Sequence, residues 1–450
     1  MSFPIMENEG NFRFLLAQRW GLALTLVSCG PSSSSSTTPD GGPNAPDSAS
    51  IDSSTAPDVV TSSGGNDAAN SGSTVDGSSS GGGGHDASTS GAGDAYAPPS
   101  GDGGSSAAST LAAALGQPNR FLIGLGGTDQ SVIQAQGIKV DVFDRYLVGV
   151  GSGSWPDWNS PSGAYVDQVV AASADALGAV PMFTLYQMAT AGDGNISGVI
   201  GSSSMMTSYW ANALLLFQRL ALYGKPALVN IEPDFWGYAI LENTDPTQTS
   251  VFVTINSDCT SLPNDVTGFG NCLLLMARKY APKTLIGFPP ADWGQGTAAV
   301  IAFLRQVGAA DADFVVMQTL DGDAGCFEAA ANTKCQRQGS GWYWDETNTT
   351  SPNFHDHLAT VQQYSVGLGK PVVWWQTPLG VVSSTPGGTT NHYRDNRVHY
   401  FMTHASELVA AGGLAAVFSA GDSDETDVTT DNGNFQTLSA SYLANPVPLP

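Results

Sequence analysis

From Leu111 to Pro450, short apolar runs alternate with longer segments whose apolar residues recur at helical spacing. The runs are FLIGLGG (121–127), VFDRYLVGV (142–150), VPMFTLYQM (180–188), PALVNIEPD (226–234), KTLIGFPP (283–290), DFVVMQTLD (313–321), KPVVWWQTP (370–378) and GLAAVFSAG (413–421). Their near-continuous Val, Ile, Leu and aromatic content suits strands buried on both faces, and strand–helix alternation makes such a sheet parallel. Helix-length segments separate them at Tyr165–Leu177, Met205–Tyr223, Gly268–Tyr280, Thr297–Val307, Phe354–Leu368 and Arg397–Ala410. Eight such units predict an α/β chain folded as a (β/α)8 TIM-like barrel over 110–450. The alternative is a doubly wound open sheet, but no GxGxxG opens a helix after the first strand, and GLGGTD (124–129) is only a loose echo of that fingerprint.

The amino end has a different pattern. Arg13 and Arg19 supply a basic region, Gly21 to Val27 an apolar run too short to span a bilayer, and Ser28 a small residue at the cut, so 1–28 reads as a signal peptide. Leu26-Val27-Ser28-Cys29 resembles the lipobox of bacterial lipoproteins, and the resemblance implies cleavage before Cys29, lipidation of its thiol and residence at the bacterial cell envelope. The segment that follows, assigned to 29–109, is nearly all Ser, Gly, Asp, Thr, Pro and Ala, with Tyr96 its single aromatic and no Lys or Arg. Such a composition cannot bury enough apolar area to offset chain entropy, which predicts a disordered tether. A coil of that length spans on the order of 50 Å.

Charge narrows the partner. The chain carries a net −24, and outside the leader and tether 29 acidic residues face 14 basic ones. Nucleic acid and anionic polymers need clustered cations, so a neutral polysaccharide or oligosaccharide fits better, met by a chain read as a monomer. Of five cysteines, one is Cys29, and Cys259 with Cys272 and Cys326 with Cys335 are close pairs suited to disulfides in an oxidising compartment. No CxxC or CxxH spacing, GxSxG elbow, P-loop or HExxH occurs, so neither metal nor cofactor is expected.

In a barrel the working groups stand at the carboxyl ends of the strands. There the chain places Arg145, then Trp155 and Trp158; Tyr186 and Gln187; Glu232, Asp234 and Trp236; Asp292 and Trp293; Gln318, Asp321 and Asp323; Trp375 and Gln376. Indole faces stack on the C–H faces of sugar rings and carboxylates take their hydroxyls or move protons, so the pattern points to carbohydrate. The sharpest element is VNIEPDFWGY, 229–238, where Glu232 ends an apolar strand, is followed by Pro233 and stands near Trp236. A dry site would raise its pKa toward that of a general acid; an ion pair with Arg145 is the structural alternative.

This segment resembles the fourth-strand region of (β/α)8 glycoside hydrolases, which implies Glu232 as proton donor. The large clan of retaining barrels ends its seventh strand in a nucleophilic Glu, whereas KPVVWWQTP presents Gln376, whose amide cannot form the glycosyl ester. Three readings follow: inversion, with Glu232 as acid and Asp321, Asp292 or Asp323 activating water; retention with Asp234 or Asp292 as nucleophile; or carbohydrate binding without catalysis. Two further segments stand apart. Tyr393 to Arg397 reads as a salt-bridge knot or an aglycone subsite, and Asp422, Asp424, Glu425, Asp427 and Asp431 as a solvated acidic loop or a Ca²⁺ site.

Overall fold

The computed structural model describes residues 106–450, apart from 193, 332–334, 336–340, 383–386 and 422–423. The leader, Cys29, all but the last few residues of the tether, and Asp422 lie outside the described residues. Eight parallel strands close into a barrel in which each pairs with its neighbours in sequence and the last with the first. They are β1 Leu122–Gly126, β2 Val142–Val148, β3 Val180–Tyr186, β4 Ala227–Ile231, β5 Thr284–Phe288, β6 Phe314–Met317, β7 Val372–Thr377 and β8 Gly413–Phe418.

All eight fall inside the apolar runs. Closure excludes the open sheet: Leu122 to Leu125 pair with Ala415 to Phe418 and leave no edge. Two clusters divide the core. Leu122, Met182, Leu228, Phe314, Val316, Val373, Trp375 and Val417 point inward, while Ile123, Phe183, Val229, Ile231, Val315 and Trp374 point out to the helices. This is the two-residue alternation of a strand.

The helices are α1 Ala107–Ala114, α2 Gln130–Ala135, α3 Ala171–Leu177, α4 Ser203–Tyr223, α5 Phe235–Glu242, α6 Val266–Tyr280, α7 Thr297–Gln306, α8 Ala324–Ala329, α9 Phe354–Leu368, α10 Arg397–Thr403, α11 Ala405–Ala410 and α12 Asn434–Ala444, with a four-residue turn at Ser197–Ile200. Two differ from the sequence reading. Tyr165–Val170 is a π-turn leading into α3, and the helix expected over 397–410 breaks at His404, whose φ of −121° is not helical. Ser106 caps α1, and Ala108, Ala112 and Leu115 join Leu449 in closing the amino end of the barrel. Both cysteine pairs are disulfides, with Cα atoms 5.6 Å apart for Cys259–Cys272 and 5.4 Å for Cys326–Cys335. Among the described residues no helix is long and apolar enough to cross a membrane.

Candidate active site at the barrel mouth

Strand register sets the inner wall. Tyr146 lies beside Thr184, Thr184 beside Asn230, and Asn230 beside Gly287, so these four form one inward layer. One layer deeper is Asp144, which is almost wholly buried. Its Oδ1 accepts from Thr184 Oγ1 at 3.0 Å and its Oδ2 from Trp375 Nε1 at 3.3 Å. Gly126 faces it across the β1–β2 pair, and a methyl there would stand 3.1 Å from Asp144 Oδ2. Burial pushes Asp144 up to about 6 against these donors and against Arg145.

Tyr146 stands above Asp144. Its ring lies 5.6 Å from that of Trp375 and meets the Tyr186 ring edge-on at 6.3 Å. Tyr186 donates its O–H to Asp234 Oδ2 at 3.1 Å. The Tyr146 phenol is held protonated, well above its ordinary range, first by burial and then by the charges of Asp144, Asp234 and Asp321. The charges of these three carboxylates thus all act on one phenol. On the β6–β7 side Gln318 Nε2 donates to Gln376 Oε1 at 3.1 Å. Asp234 and Gln376 both have left-handed backbones, with φ of 67° and 52°. Such conformations cost on the order of 1 kcal/mol each and concentrate at functional sites.

Glu232 is elsewhere. Its φ of 51° breaks the strand alternation that would have turned it inward. The side chain is fully buried, its Oε2 accepts from Gln187 N at 3.0 Å and Met188 N at 2.9 Å, and Tyr209 of α4 interacts with the carboxyl group. Tyr209 belongs to the outer core, so the carboxyl group sits between barrel and helices and not in the mouth. Burial pushes it up to about 8 against the donors around it. The neighbouring Gln187 is likewise buried and accepts from Asn212 Nδ2 at 2.7 Å and Trp155 Nε1 at 3.3 Å. Glu232, Gln187 and Trp155 thus brace β3 and β4 against α4. The sequence reading gives Glu232 the proton donor's role and Trp155 and Gln187 sugar contacts; the contacts they make here are with one another, with α4 and with the β3 end.

Other side chains expected to touch sugar have partners within the protein. Trp236 is 1% exposed, donates to Ile231 O at 2.9 Å and packs on Phe288, so it belongs to the core. Arg145 does not reach Glu232: it donates to Asp144 O at 3.0 Å and to Thr128 O, lies over the Phe143 ring and stands 3.6 Å from Asp129. Trp158 packs edge-on against Tyr165 at 5.1 Å. Asp292 Oδ1 accepts from Gly294 N and Gly296 N at 3.1 and 2.9 Å, shaping the turn into α7. Beside it Trp293 packs on Tyr238, and a methyl on Gly237 would lie 2.8 Å from its ring.

Asp323 is buried and accepts from Gly380 N and Thr426 N; burial and the Asp395 charge push it up to about 7. Arg397, wholly buried, pairs with Asp395 at 3.0 Å, and Arg394 Nε reaches Glu328 at 2.7 Å, so 393–397 is a salt-bridge knot. In the acidic loop, Asp431 accepts from Phe435 N at the start of α12. Glu425 lies buried beside Cys326 and Cys335, whose sulfurs are joined to each other.

The sequence reading missed Tyr146 and Asn230. The Asp144-x-Tyr146 and Thr184-x-Tyr186 spacing on adjacent runs, two polar groups on one face of an otherwise apolar strand, was the signal. It also passed over Trp342-Tyr343-Trp344, of which Tyr343 and Trp344 line a groove of about 500 Å³ with Glu346 and Val382.

No protein-family model and no curated protein matches this chain. Solved structures similar to it include a Bacteroidetes-affiliated GH5 cellulase linked with a polysaccharide utilization locus, at 11% identity over 76% of this chain and 98% of that one, TM-score 0.42. Another is Thermotoga maritima Cel5A in complex with mannotriose, at 9% identity over 71% and 97%, TM-score 0.44. A third is 2,3-dimethylmalate lyase of the PEP mutase/isocitrate lyase superfamily, at 12% identity over 76% and 89%, TM-score 0.32. Likenesses this distant decide nothing about chemistry, and the barrel rests on its own closed strand order.

Proposed function

We propose that this chain is a glycoside hydrolase that cleaves a polysaccharide lacking anionic groups at the carboxyl end of its barrel, and that it is carried on the bacterial envelope by a lipid on Cys29. The observation that carries the reading is Asp234 held by the Tyr186 hydroxyl, where the Tyr186 and Trp375 rings meet Tyr146, with the Asp321 charge also acting on that phenol. Two carboxyl groups near one bound glycosidic oxygen supply the acid and the base of hydrolysis, and aromatic rings hold the sugar. Asp234, fixed by Tyr186, activates water, and Asp321 protonates the leaving oxygen. Gln376 puts no carboxylate at the end of β7, which supports inversion. Glu232, held by Gln187 N and Met188 N, is read in this proposal as a brace.

Release of reducing ends from a polysaccharide panel tests the proposal, with Asp234→Asn and Asp321→Asn as controls. A loss of about 100-fold or more in kcat for each is expected of a general acid or base. Proton NMR of the first-formed anomer then reads inversion directly. Glu232's burial away from the mouth favours one rival, capture of glycan without cleavage. Saturable binding with no reducing ends released from any polymer would establish that rival.

A further inference from the structure

The groove of about 500 Å³ beside Tyr343 and Trp344 takes Glu346, Thr350 and Ser351 from the same β6–α9 loop and Val382 from the segment after β7. Both segments leave the carboxyl ends of neighbouring strands, so the groove lies at the same end of the barrel as the mouth. Its two rings are fixed by the salt-bridge knot. The Arg394 guanidinium, paired with Glu328, lies 4.2 Å from the centre of the Tyr343 ring, and that of Arg397, paired with Asp395, 4.3 Å from the Trp344 ring. Rings held in this way lose little freedom when a ligand settles on them.

The chemistry of the walls selects the guest. Each ring already carries a cation over one face, so a cationic ligand on the other face would meet that charge across the ring, whereas an uncharged C–H face stacks there freely. The polar side offers acceptors. Thr350 Oγ1 donates to Asp345 Oδ2 at 3.0 Å and Ser351 Oγ to Asp356 Oδ2, so both exposed hydroxyls have committed their protons and present lone pairs. Glu346 adds a carboxylate whose Oε2 is held by His399 Nδ1 at 2.9 Å. A proline-rich peptide, a common guest of aromatic grooves, brings carbonyl acceptors and few donors. A sugar brings O–H donors on its edges and C–H groups on its faces, which matches both kinds of wall.

We propose that this groove is a second carbohydrate site, in which an uncharged sugar unit of the polysaccharide lies against Tyr343, Trp344 and Val382 and donates hydroxyl hydrogen bonds to Glu346, Thr350 and Ser351. Val382, 49% exposed, supplies apolar surface on the β7 side. A chain held here and at the mouth together binds more tightly than at either alone. The inference rests on the carbohydrate part of the hydrolase reading and not on cleavage, since binding is measured separately.

The test is calorimetric titration of the full chain with the β-1,4-linked hexasaccharides of glucose, mannose and xylose, and with hexaproline, using wild type, Tyr343→Ala and Val382→Arg. At least one hexasaccharide is expected to bind saturably and to lose about 10-fold in affinity in each variant, while hexaproline binds more weakly than that sugar. Val382→Arg fills the groove from an exposed position, so it decides alone if Tyr343→Ala unseats Arg394 and does not fold, as read by circular dichroism. Saturable binding of none of the three sugars, sugar binding that Val382→Arg leaves unchanged, or tighter binding of hexaproline overturns the proposal. Reducing ends released from a polymer, with sugar binding indifferent to Val382→Arg, would sink this inference and leave the hydrolase standing. Binding that the variants weaken, with no reducing ends released from any polymer, would do the reverse.

Discussion

At the residue scale, the contrast between Glu232 and Asp234 shows how two carboxylates in one motif come to different tasks. Asp234 opens onto the mouth beside Tyr186, while Glu232, two residues earlier, closes a turn behind the wall. Because burial lifts Glu232 to about 8, it is largely neutral at pH 7, and a Gln reproduces its shape and acceptor. Glu232→Gln should keep unfolding free energy within about 1 kcal/mol of wild type at pH 7, whereas Glu232→Ala should cost about 3 kcal/mol by stranding two N–H donors and opening a cavity. The pH dependence has a definite sign. The folded value lies above the unfolded one of 4.5, so the stability Glu232 contributes is complete below 4.5 and lost as pH climbs through about 8. Urea titrations at pH 5 and pH 9 should show wild type losing more stability than Glu232→Gln over that interval. None of this was legible in VNIEPD, because one left-handed φ re-aims a side chain that alternation had turned inward. Asp144 and Tyr146 obey the alternation, and their spacing alone marked them.

Elements were legible wherever apolar periodicity governs them. All eight strands fall within the apolar runs, since both faces of each strand are buried. Helix α5 was hidden because Trp236 read as a site aromatic at a strand end, when Phe235 and Trp236 pack as helix core. The loop between β6 and α9 was opaque for another reason: what orders it is far away in sequence. Arg397 at the start of α10 donates to Trp342 O at 2.8 Å and lies 4.3 Å beneath the Trp344 ring, while its charge compensates Asp395. Removing it leaves Asp323 and Asp395 as neighbouring buried acids. Arg397→Met should therefore cost about 3–5 kcal/mol, the usual loss when one partner of a buried ion pair is deleted. Differential scanning calorimetry gives the size, and a tryptophan emission change at temperatures below unfolding would report release of the 342–344 strip. A fall under 1 kcal/mol would show that the knot does not hold this loop.

For the whole molecule, strand count and alternation were enough to anticipate the barrel, but its closure depends on pairing between β1 and β8, which lie almost three hundred residues apart. The charge balance was legible from composition alone. How the barrel is presented depends on the amino end. A tether with a reach on the order of 50 Å from a lipid on Cys29 would let the mouth sample polymer well clear of a membrane. A single acyl chain binds a bilayer only marginally, so stable anchoring needs the several chains of a lipoprotein. The full gene, expressed in a bacterial host, should give a protein that sediments with membranes, resists high salt and is extracted by detergent. Cys29→Ser should move it to the soluble fraction while leaving specific activity on soluble oligosaccharides within about twofold, because the closed barrel and the described residues of its core and mouth all lie within 106–450. Equal sedimentation of wild type and Cys29→Ser would locate the attachment in an uncleaved leader, and a wild type already soluble would remove the anchor and leave a secreted barrel.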